Sequence, residues 1–290
     1  MFLKEELKSY PCNMCSEKDF KTISRRDRYG FKVQTVICKR CSLIFIDPRM
    51  DKESYNDFYQ QTYRPLLEEY KGKKVDHQKN WDNSFKIGLE LGQKFLPFFR
   101  KGKTLEIGSS TGGVLAGLKK LRADLDIVGI EPSLEESNFA CKAGIPTTTG
   151  LFENIDTGLF SRFSNIITVR SLNHLLDPRT FFEWCHKNLD DSGMLLIMVL
   201  DFLNFCERKG KILTQIDHPF MFSGISLKNF LDSVGFTVIS EDLSHPDYIK
   251  LIAKKDGTFS PKVDSEAYPH SLARLNSFNF FNSLKRRLFQ

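Results

Sequence analysis

The sequence predicts an α/β protein built on a doubly wound, mostly parallel sheet, with a small metal-clamped ribbon ahead of it. Three observations carry that prediction. From Lys103 onward, short apolar runs alternate with helix-length amphipathic stretches, the pattern of parallel strands joined by crossover helices. A glycine-rich turn containing Gly108, Gly112 and Gly113 follows the first of these runs and opens the first helix. Upstream, Cys12-x-x-Cys15 and Cys38-x-x-Cys41 flank a short basic, strand-prone stretch. Each C-x-x-C turn aims two thiolates at one centre, so the two pairs complete a closed tetrahedral zinc site with no open position for chemistry.

Each element follows from its residues. Residues 10–46 read as the ribbon: residues 31–37 alternate apolar and polar into the second cysteine pair, and residues 43–46 form a second short strand stopped by Asp47 and Pro48. Residues 51–100 read as helices, with Tyr55, Phe58, Tyr59 and Tyr63 at helical spacing and an apolar stripe from Trp81 to Phe99. Residues 104–108 are a strand ending in the glycine turn, and 114–121 the following helix. Residues 126–131 are the second strand, and 133–143 a helix with Ser133 as N-cap. Residues 165–169 are a later strand, 179–189 a helix, and 193–200 a fully buried strand. A helix over 226–234 precedes two strands, 236–240 and 248–253, that close the sheet as an antiparallel pair. The expected division is therefore ribbon 1–50, helical linker 51–100, sheet domain 101–255 and tail 256–290. The tail's final stretch, 272–289, is expected to be a helix packing on the body, with contact to a membrane surface as the alternative.

Bulk properties narrow the function classes. The chain has 290 residues, 41 % hydrophobic and 12 % aromatic, enough for a sizeable core. No apolar run reaches membrane-spanning length and the first residues are charged from Lys4, so the expectation is a soluble, cytoplasmic protein. Four of the seven cysteines belong to the C-x-x-C turns, and Cys141, Cys185 and Cys206 are expected to be small buried residues. The net charge is +6, and residues 1–50 alone carry +5. Four thiolates around one zinc ion reduce that region to +3. A head of this charge suits an anionic ligand without requiring nucleic acid.

The glycine turn lets backbone approach a ligand closely, and Glu131 at the end of the next strand can accept hydrogen bonds from both ribose hydroxyls of an adenosine. Taken alone, that arrangement serves a nicotinamide dinucleotide as well. Two details favour another cofactor. The spacing is G-x-x-x-G rather than G-x-G-x-x-G, and Glu106 sits two residues before the first glycine. An acid there repels a pyrophosphate but organises a cationic amino-acid moiety, such as that of S-adenosylmethionine.

Residues 104–115 together with 128–133 resemble the first two motifs of class I S-adenosylmethionine-dependent methyltransferases. Residues 171–178 are similar to the segment after the fourth strand of that family, and 189–197 to its fifth-strand motif. The resemblance implies a Rossmann-like, doubly wound, seven-stranded methyltransferase sheet. It implies that Gly108, Ser109 and Gly112 shape the methionine pocket, that Glu106 organises the turn, and that Glu131 and Pro132 meet the ribose. Phe152 and Glu153 then lie near the adenine, and Arg170 follows the fourth strand beside the cofactor. Ser110 stands where many members carry glycine.

A narrower resemblance concerns the head. Cys38 through Arg49, followed by Phe58, Tyr59 and Tyr63, is similar to the zinc-binding part of sugar C-methyltransferases, which act on a keto-sugar carried on a nucleotide. In that family a Glu-His pair stands where Asn173 and His174 stand here, and the histidine is the suggested base. The resemblance thus implies His174 as a catalytic residue oriented by Asn173, with Tyr59 and Tyr63 lining the acceptor pocket. A base poised near neutral pH is an ordinary histidine role. His218, in the loop after the fifth strand, is a second candidate by position.

The expected function is methylation of a small acceptor, a nucleotide-linked or glycan-type sugar of anionic character, with S-adenosylmethionine as donor and one structural zinc ion. The alternatives are an RNA methyltransferase using the ribbon for RNA contact, and a non-catalytic cofactor-binding protein serving a partner.

Overall fold

The computed structural model describes residues 7–154, 162–256 and 263–288, without the side chains of 59, 60 and 279–288. The core is a seven-stranded sheet in the order β10-β11-β8-β7-β4-β5-β6. Its strands are β4 (Lys103–Ile107), β5 (Asp126–Glu131), β6 (Thr147–Thr149), β7 (Phe163–Val169), β8 (Leu189–Leu200), β10 (Phe236–Asp242) and β11 (Tyr248–Lys255). The run from β8 to β6 is parallel, and β11 pairs antiparallel with both β8 and β10. β7 is buried along its whole length and β8 through most of its second half, because helices cover both faces of a central parallel sheet.

Those helices are α4 (Gly113–Leu121), α5 (Leu134–Lys142), α6 (Pro178–Asn188) and α8 (Gly224–Ser233), joined by α3 (His77–Phe95) from the linker region. Ser133 caps α5 by accepting from the Glu136 N–H, as its position predicted. α3 and α4 meet backbone to backbone. A Cβ on Gly88 would sit 2.3 Å from the Val114 carbonyl oxygen, and one on Gly117 would sit 2.4 Å from that of Phe85. Glycine at these positions sets how closely the linker helix approaches the sheet domain.

The ribbon is a four-stranded sheet in the order β1-β2-β3-β9. β1 (Phe20–Ser24), β2 (Thr35–Cys38) and β3 (Ile44–Ile46) come from the head, whereas β9 (Phe220–Met221) comes from the segment between β8 and α8. β3 pairs antiparallel with β9 through Ile44 with Met221 and Phe45 with Phe220. Phe45 packs edge-on against Phe20 at 5.0 Å and lies 5.9 Å from Phe220, joining the ribbon to one continuous core with Phe181, Phe182 and Phe230. The first cysteine turn is also tied to α6. Asn13 Oδ1 accepts from the Arg179 N–H at 2.8 Å, and the Arg179 side chain donates to the carbonyls of Asn13 and Met14.

Between ribbon and sheet run α1 (Lys52–Asp57), a π-helical turn (Phe58–Tyr63) and α2 (Arg64–Lys71). α7 (Phe202–Lys209), which the sequence pattern did not announce, carries the last helix, α9 (Ala267–Leu288). Leu275 and Phe278 of α9 are buried with Phe202, Leu203 and Cys206 of α7, and Arg274 bonds Asn204 and Glu207. Over the part whose side chains are described, α9 therefore packs against α7. Among the described residues no helix is long and apolar enough to cross a membrane. Cys185 and Cys206 are buried as expected, but Cys141 is exposed, because it faces outward near the end of α5, its thiol donating to the Thr147 carbonyl.

Candidate functional site

The chain leaves β4 toward β5 on one side of the sheet and later returns to β7 on the other. That reversal opens a crevice at the carboxyl ends of β4 and β7, where ligands of open α/β sheets sit. The glycine turn lies at the end of β4, Glu131 at the end of β5, and residues 170–174 just past β7.

The turn is fixed by its neighbour strand. The N–H groups of Gly108 and Ser109 both donate to the Ile130 carbonyl, at 2.8 and 3.0 Å. Gly108 has φ +73°, and a Cβ there would lie 2.3 Å from Ser171 Oγ. Ser110 adopts φ +48° and is held there by donating its N–H to Glu131 Oε2 at 2.8 Å. The other carboxylate oxygen, Oε1, accepts from the Ser133 N–H at 2.8 Å. Each oxygen keeps a second lone pair for a ligand hydroxyl. Burial pushes the Glu131 carboxyl up to about 7 in spite of those two donors.

Glu106 is 1 % exposed, and its Oε2 has no hydrogen-bond partner among the described residues. Burial first, and the Glu131 charge second, push its carboxyl well above the ordinary value. Ser109 Oγ and Thr111 Oγ1 are likewise buried without a partner among the described residues. A buried acid with an open lone pair beside a glycine turn suits an ammonium group, and Glu131 suits ribose hydroxyls. The residues present therefore fit S-adenosylmethionine. Pro132 is exposed beside Glu131. Phe152 is buried, edge-on to Phe181 and Trp184 at 5.5 and 5.6 Å, with Glu153 exposed next to it on the same turn after β6. Arg170 has φ +58°, lies exposed, and places its guanidinium 4.6 Å from the Tyr248 ring centre.

A second group of residues gathers around His174. Its ring meets His218 edge-on at 4.5 Å between centroids, and Tyr63 at 5.6 Å. The Asp217 carboxylate completes the cluster: one ligand atom from each of His174, Asp217 and His218 falls within 4.8 Å of the others. The Tyr55 hydroxyl donates to the carbonyls of both His174 and Asp217, pinning the two loops together. Asn173, buried, donates Nδ2 to the Phe220 carbonyl at 3.2 Å, so its amide fixes this turn to β9 of the ribbon sheet. Burial holds His174 below its ordinary pKa against the pull of Asp217, and burial, with His174 and Arg28 adding to it, holds His218 well below. Both rings are thus neutral, able to take a proton or to ligate a cation. Tyr59, the other aromatic expected here, has a side chain outside the described residues.

Sequence reasoning missed four neighbours of this cluster. Asp217 and Gln215 belong to the loop that carries His218, and Arg28 and Tyr29 come with the ribbon. Arg28 donates to Gln215 Oε1 at 2.8 Å, while the Gln215 amide reaches the His218 ring nitrogens at 2.6 and 2.7 Å. Tyr29, beside Arg28, interacts with Asp217. The one available signal was the acid directly preceding His218; the ribbon's contribution had none, since it depends on how the head docks.

The four ribbon cysteines converge as their spacing predicted. Cys12 Sγ and Cys41 Sγ lie 3.4 Å apart, and Cys15 Sγ and Cys38 Sγ 3.6 Å apart. All four sulfurs fall within 4.8 Å of one another. Bonds of about 2.3 Å to one tetrahedral zinc ion place sulfurs about 3.8 Å apart, so the set fits that ion.

Comparison with known proteins agrees with this architecture. A family profile described as a methyltransferase domain matches residues 81–241. Among solved structures, a plantazolicin methyltransferase bound to S-adenosylhomocysteine and a triazolic desmethylplantazolicin analogue superposes with a TM-score of 0.52 at 13 % identity, covering 70 % of this chain and 94 % of that one. A protein from Pyrococcus horikoshii gives 0.50 at 15 % identity over 59 % of this chain and 91 % of its own. An S-adenosylmethionine-dependent methyltransferase from Thermotoga maritima gives 0.48 at 19 % identity, over 70 % and 99 %. At these identities the likeness concerns the fold. No curated protein matches the sequence.

Proposed function

We propose a small anionic acceptor, a nucleotide-linked or glycan-type sugar, for this chain, which belongs to the methyltransferase domain family and is an S-adenosylmethionine-dependent methyltransferase. The observation that carries the reading is the cluster of His174, His218, Asp217 and Tyr63 beside the end of β7, roofed by Arg28 and Tyr29 of the ribbon. Cations gather on the same side. Lys71 is held below its ordinary pKa by burial and then by the nearby charges of Lys73, Arg28 and Arg64. Such a concentration of positive charge favours a phosphate-bearing or otherwise anionic ligand.

When bound, S-adenosylmethionine supplies a methyl group that leaves its sulfonium by in-line displacement. In our assignment Glu106 pairs with its ammonium, Gly108, Ser109 and Gly112 admit the methionine chain, and Glu131 accepts from the ribose with Pro132 alongside. Phe152 and Glu153 border the adenine, and Arg170 flanks the site. Arg64 of α2 bonds Glu136 of α5 at 2.7 Å, which supports a role for the linker helices in covering the donor and excluding water. Activation of the acceptor falls to the His174 cluster, with Asn173 positioning its turn and Tyr63 beside the ring. Holding acceptor and methyl at near-attack distance is the remaining contribution. The four ribbon cysteines hold one structural zinc ion, and the ribbon, linker and sheet regions at 1–50, 51–100 and 101–255 act as one catalytic unit.

The test incubates zinc-loaded protein with methyl-labelled S-adenosylmethionine and a fractionated cell extract. Label in a small anionic or glycan fraction, resistant to nuclease, supports the reading. Label in a nuclease-sensitive polymer sinks it in favour of RNA. Donor binding with no labelled fraction sinks it in favour of a non-catalytic role.

A further inference from the structure

We propose that His174, Asp217 and His218 form a divalent-cation site, separate from the four-cysteine centre, beside the end of β7. The site itself stands on geometry. Only its use in acceptor activation rests on the function proposed above.

Two imidazoles and one carboxylate converge here from two loops, within 4.8 Å of one another. His218 Nε2 and Asp217 Oδ2 are 3.8 Å apart. Ligands bonded at about 2.1 Å to one ion lie roughly 3–4 Å apart, so this pair already has the span, and a small closure brings in the third. The chemistry of the set also points to a cation. Asp217 is 3 % exposed, and its Oδ1 is buried with no hydrogen-bond partner among the described residues. A buried carboxylate with an open lone pair is costly unless a positive charge meets it. Arg28 and the Tyr29 hydroxyl act on the same carboxylate, yet Oδ1 itself stays without a hydrogen-bond partner among the described residues. Neutral imidazole is the form that ligates.

Outer contacts orient the ligands. His174 is hydrogen-bonded to the Asp217 backbone, and the Tyr55 hydroxyl bonds the carbonyls of both residues. Such second contacts set ring orientation in metal-binding histidines. Gln215 lies against the His218 ring, and a cation on Nε2 displaces its amide from that nitrogen. Two imidazoles with one carboxylate suit a borderline ion of the zinc, cobalt or iron(II) class rather than magnesium or calcium. One carboxylate leaves such an ion with net positive charge and open positions. An acceptor oxygen bound there loses its proton to water more readily. Its lone pair, or the carbanion conjugate to it, then attacks the methyl carbon as the C–S bonding pair returns to sulfur.

The experiment uses full-length protein with the cysteine centre filled by one equivalent of zinc. Cobalt(II) is then titrated in, followed by calorimetry and visible absorption. The expected result is a second equivalent showing weak nitrogen- and oxygen-ligand bands without thiolate charge transfer. Asp217→Asn should weaken that equivalent by more than about a hundredfold while donor binding persists, since even outer-sphere changes cost ten- to a hundredfold. Should the variant fold poorly, paramagnetic broadening of the His174 and His218 ring signals in the unmodified protein reads the same site. A single bound metal per chain, or cobalt that leaves both rings unbroadened, overturns the proposal. Neither result touches the methyltransferase reading, which donor binding reports separately.

Discussion

His174 and His218 are far apart in the chain, yet their rings meet edge-on with centroids 4.5 Å apart. Burial holds both below the ordinary imidazole pKa. A group whose folded pKa is depressed binds fewer protons folded than unfolded, so stability falls as pH drops below the unfolded value near 6.5. Acid unfolding should therefore steepen below about pH 6.5 with proton uptake, and His218→Gln should flatten the slope. Stability measured by denaturant at a series of pH values checks this; an unchanged slope in the variant would count against burial of a neutral ring.

Function at the same pair follows from its position. His174→Ala should reduce methyl transfer by about 10²- to 10⁴-fold, the range for losing a group that activates the acceptor. Affinity for S-adenosylmethionine should stay within a few-fold, because the residues proposed for the donor lie on the glycine turn and β5. Calorimetric donor binding beside labelled-methyl transfer separates the two. Equal loss of both would make His174 a structural residue.

Donor binding should release protons. Glu106 is pushed well above its ordinary range and Glu131 up to about 7, so near neutral pH the ligand-free site carries protons. An ammonium opposite Glu106 favours the ionised carboxylate, so affinity rises with pH through the neutral range. Calorimetry in two buffers of different ionisation enthalpy measures the release. Glu106→Gln should abolish most of it and weaken binding by more than tenfold.

Much of this was legible in the sequence, and the rest was not for physical reasons. The strands at 104–107 and 126–131, the Ser133 cap and the cysteine pairs each have local signals, so Glu106, Glu131 and the four-sulfur cluster could be named by residue. The meeting of His174 with His218 could not, although each was a candidate singly, because it depends on two loops brought together by tertiary packing. β9 is two residues long, too short for any periodicity, yet it makes the ribbon sheet continuous with the acceptor loop. Arg28 and Tyr29 reach the site through that docking and through direct bonds between residues 26–28 and 214–216.

The glycines between α3 and α4 give a prediction about stability. A Cβ on Gly88 would lie 2.3 Å from the Val114 carbonyl oxygen, and backbone cannot move aside as a flexible side chain can. Gly88→Ala gains helix propensity of about 1 kcal/mol but should still destabilise by about 2 kcal/mol net through overpacking. Gly72→Ala is the contrasting control, because the cost there arises from φ +65° and not from any contact within 4 Å. Denaturant midpoints of both variants check the distinction.

Removing metal from the ribbon should reach the acceptor site before the donor site. The cysteine turns hold β2 and β3, β3 pairs with β9, and Asn173 donates to the Phe220 carbonyl within β9. His218 stands two residues before that strand, and Arg28 rests on Gln215. Loss of the four-sulfur centre thus frees one edge of the loop that presents His218, whereas the glycine turn is anchored to Ile130 inside the parallel sheet. Structural zinc contributes directly to the folding of small modules, so a strong chelator or Cys38→Ser should loosen the head. Hydrogen exchange should then rise over 20–46 and over 215–222, with residues 104–131 protected as before and donor affinity retained. Exchange that rises equally in the glycine turn would mean that ribbon and sheet unfold as one unit, and that the ribbon acts on overall stability rather than on the acceptor pocket.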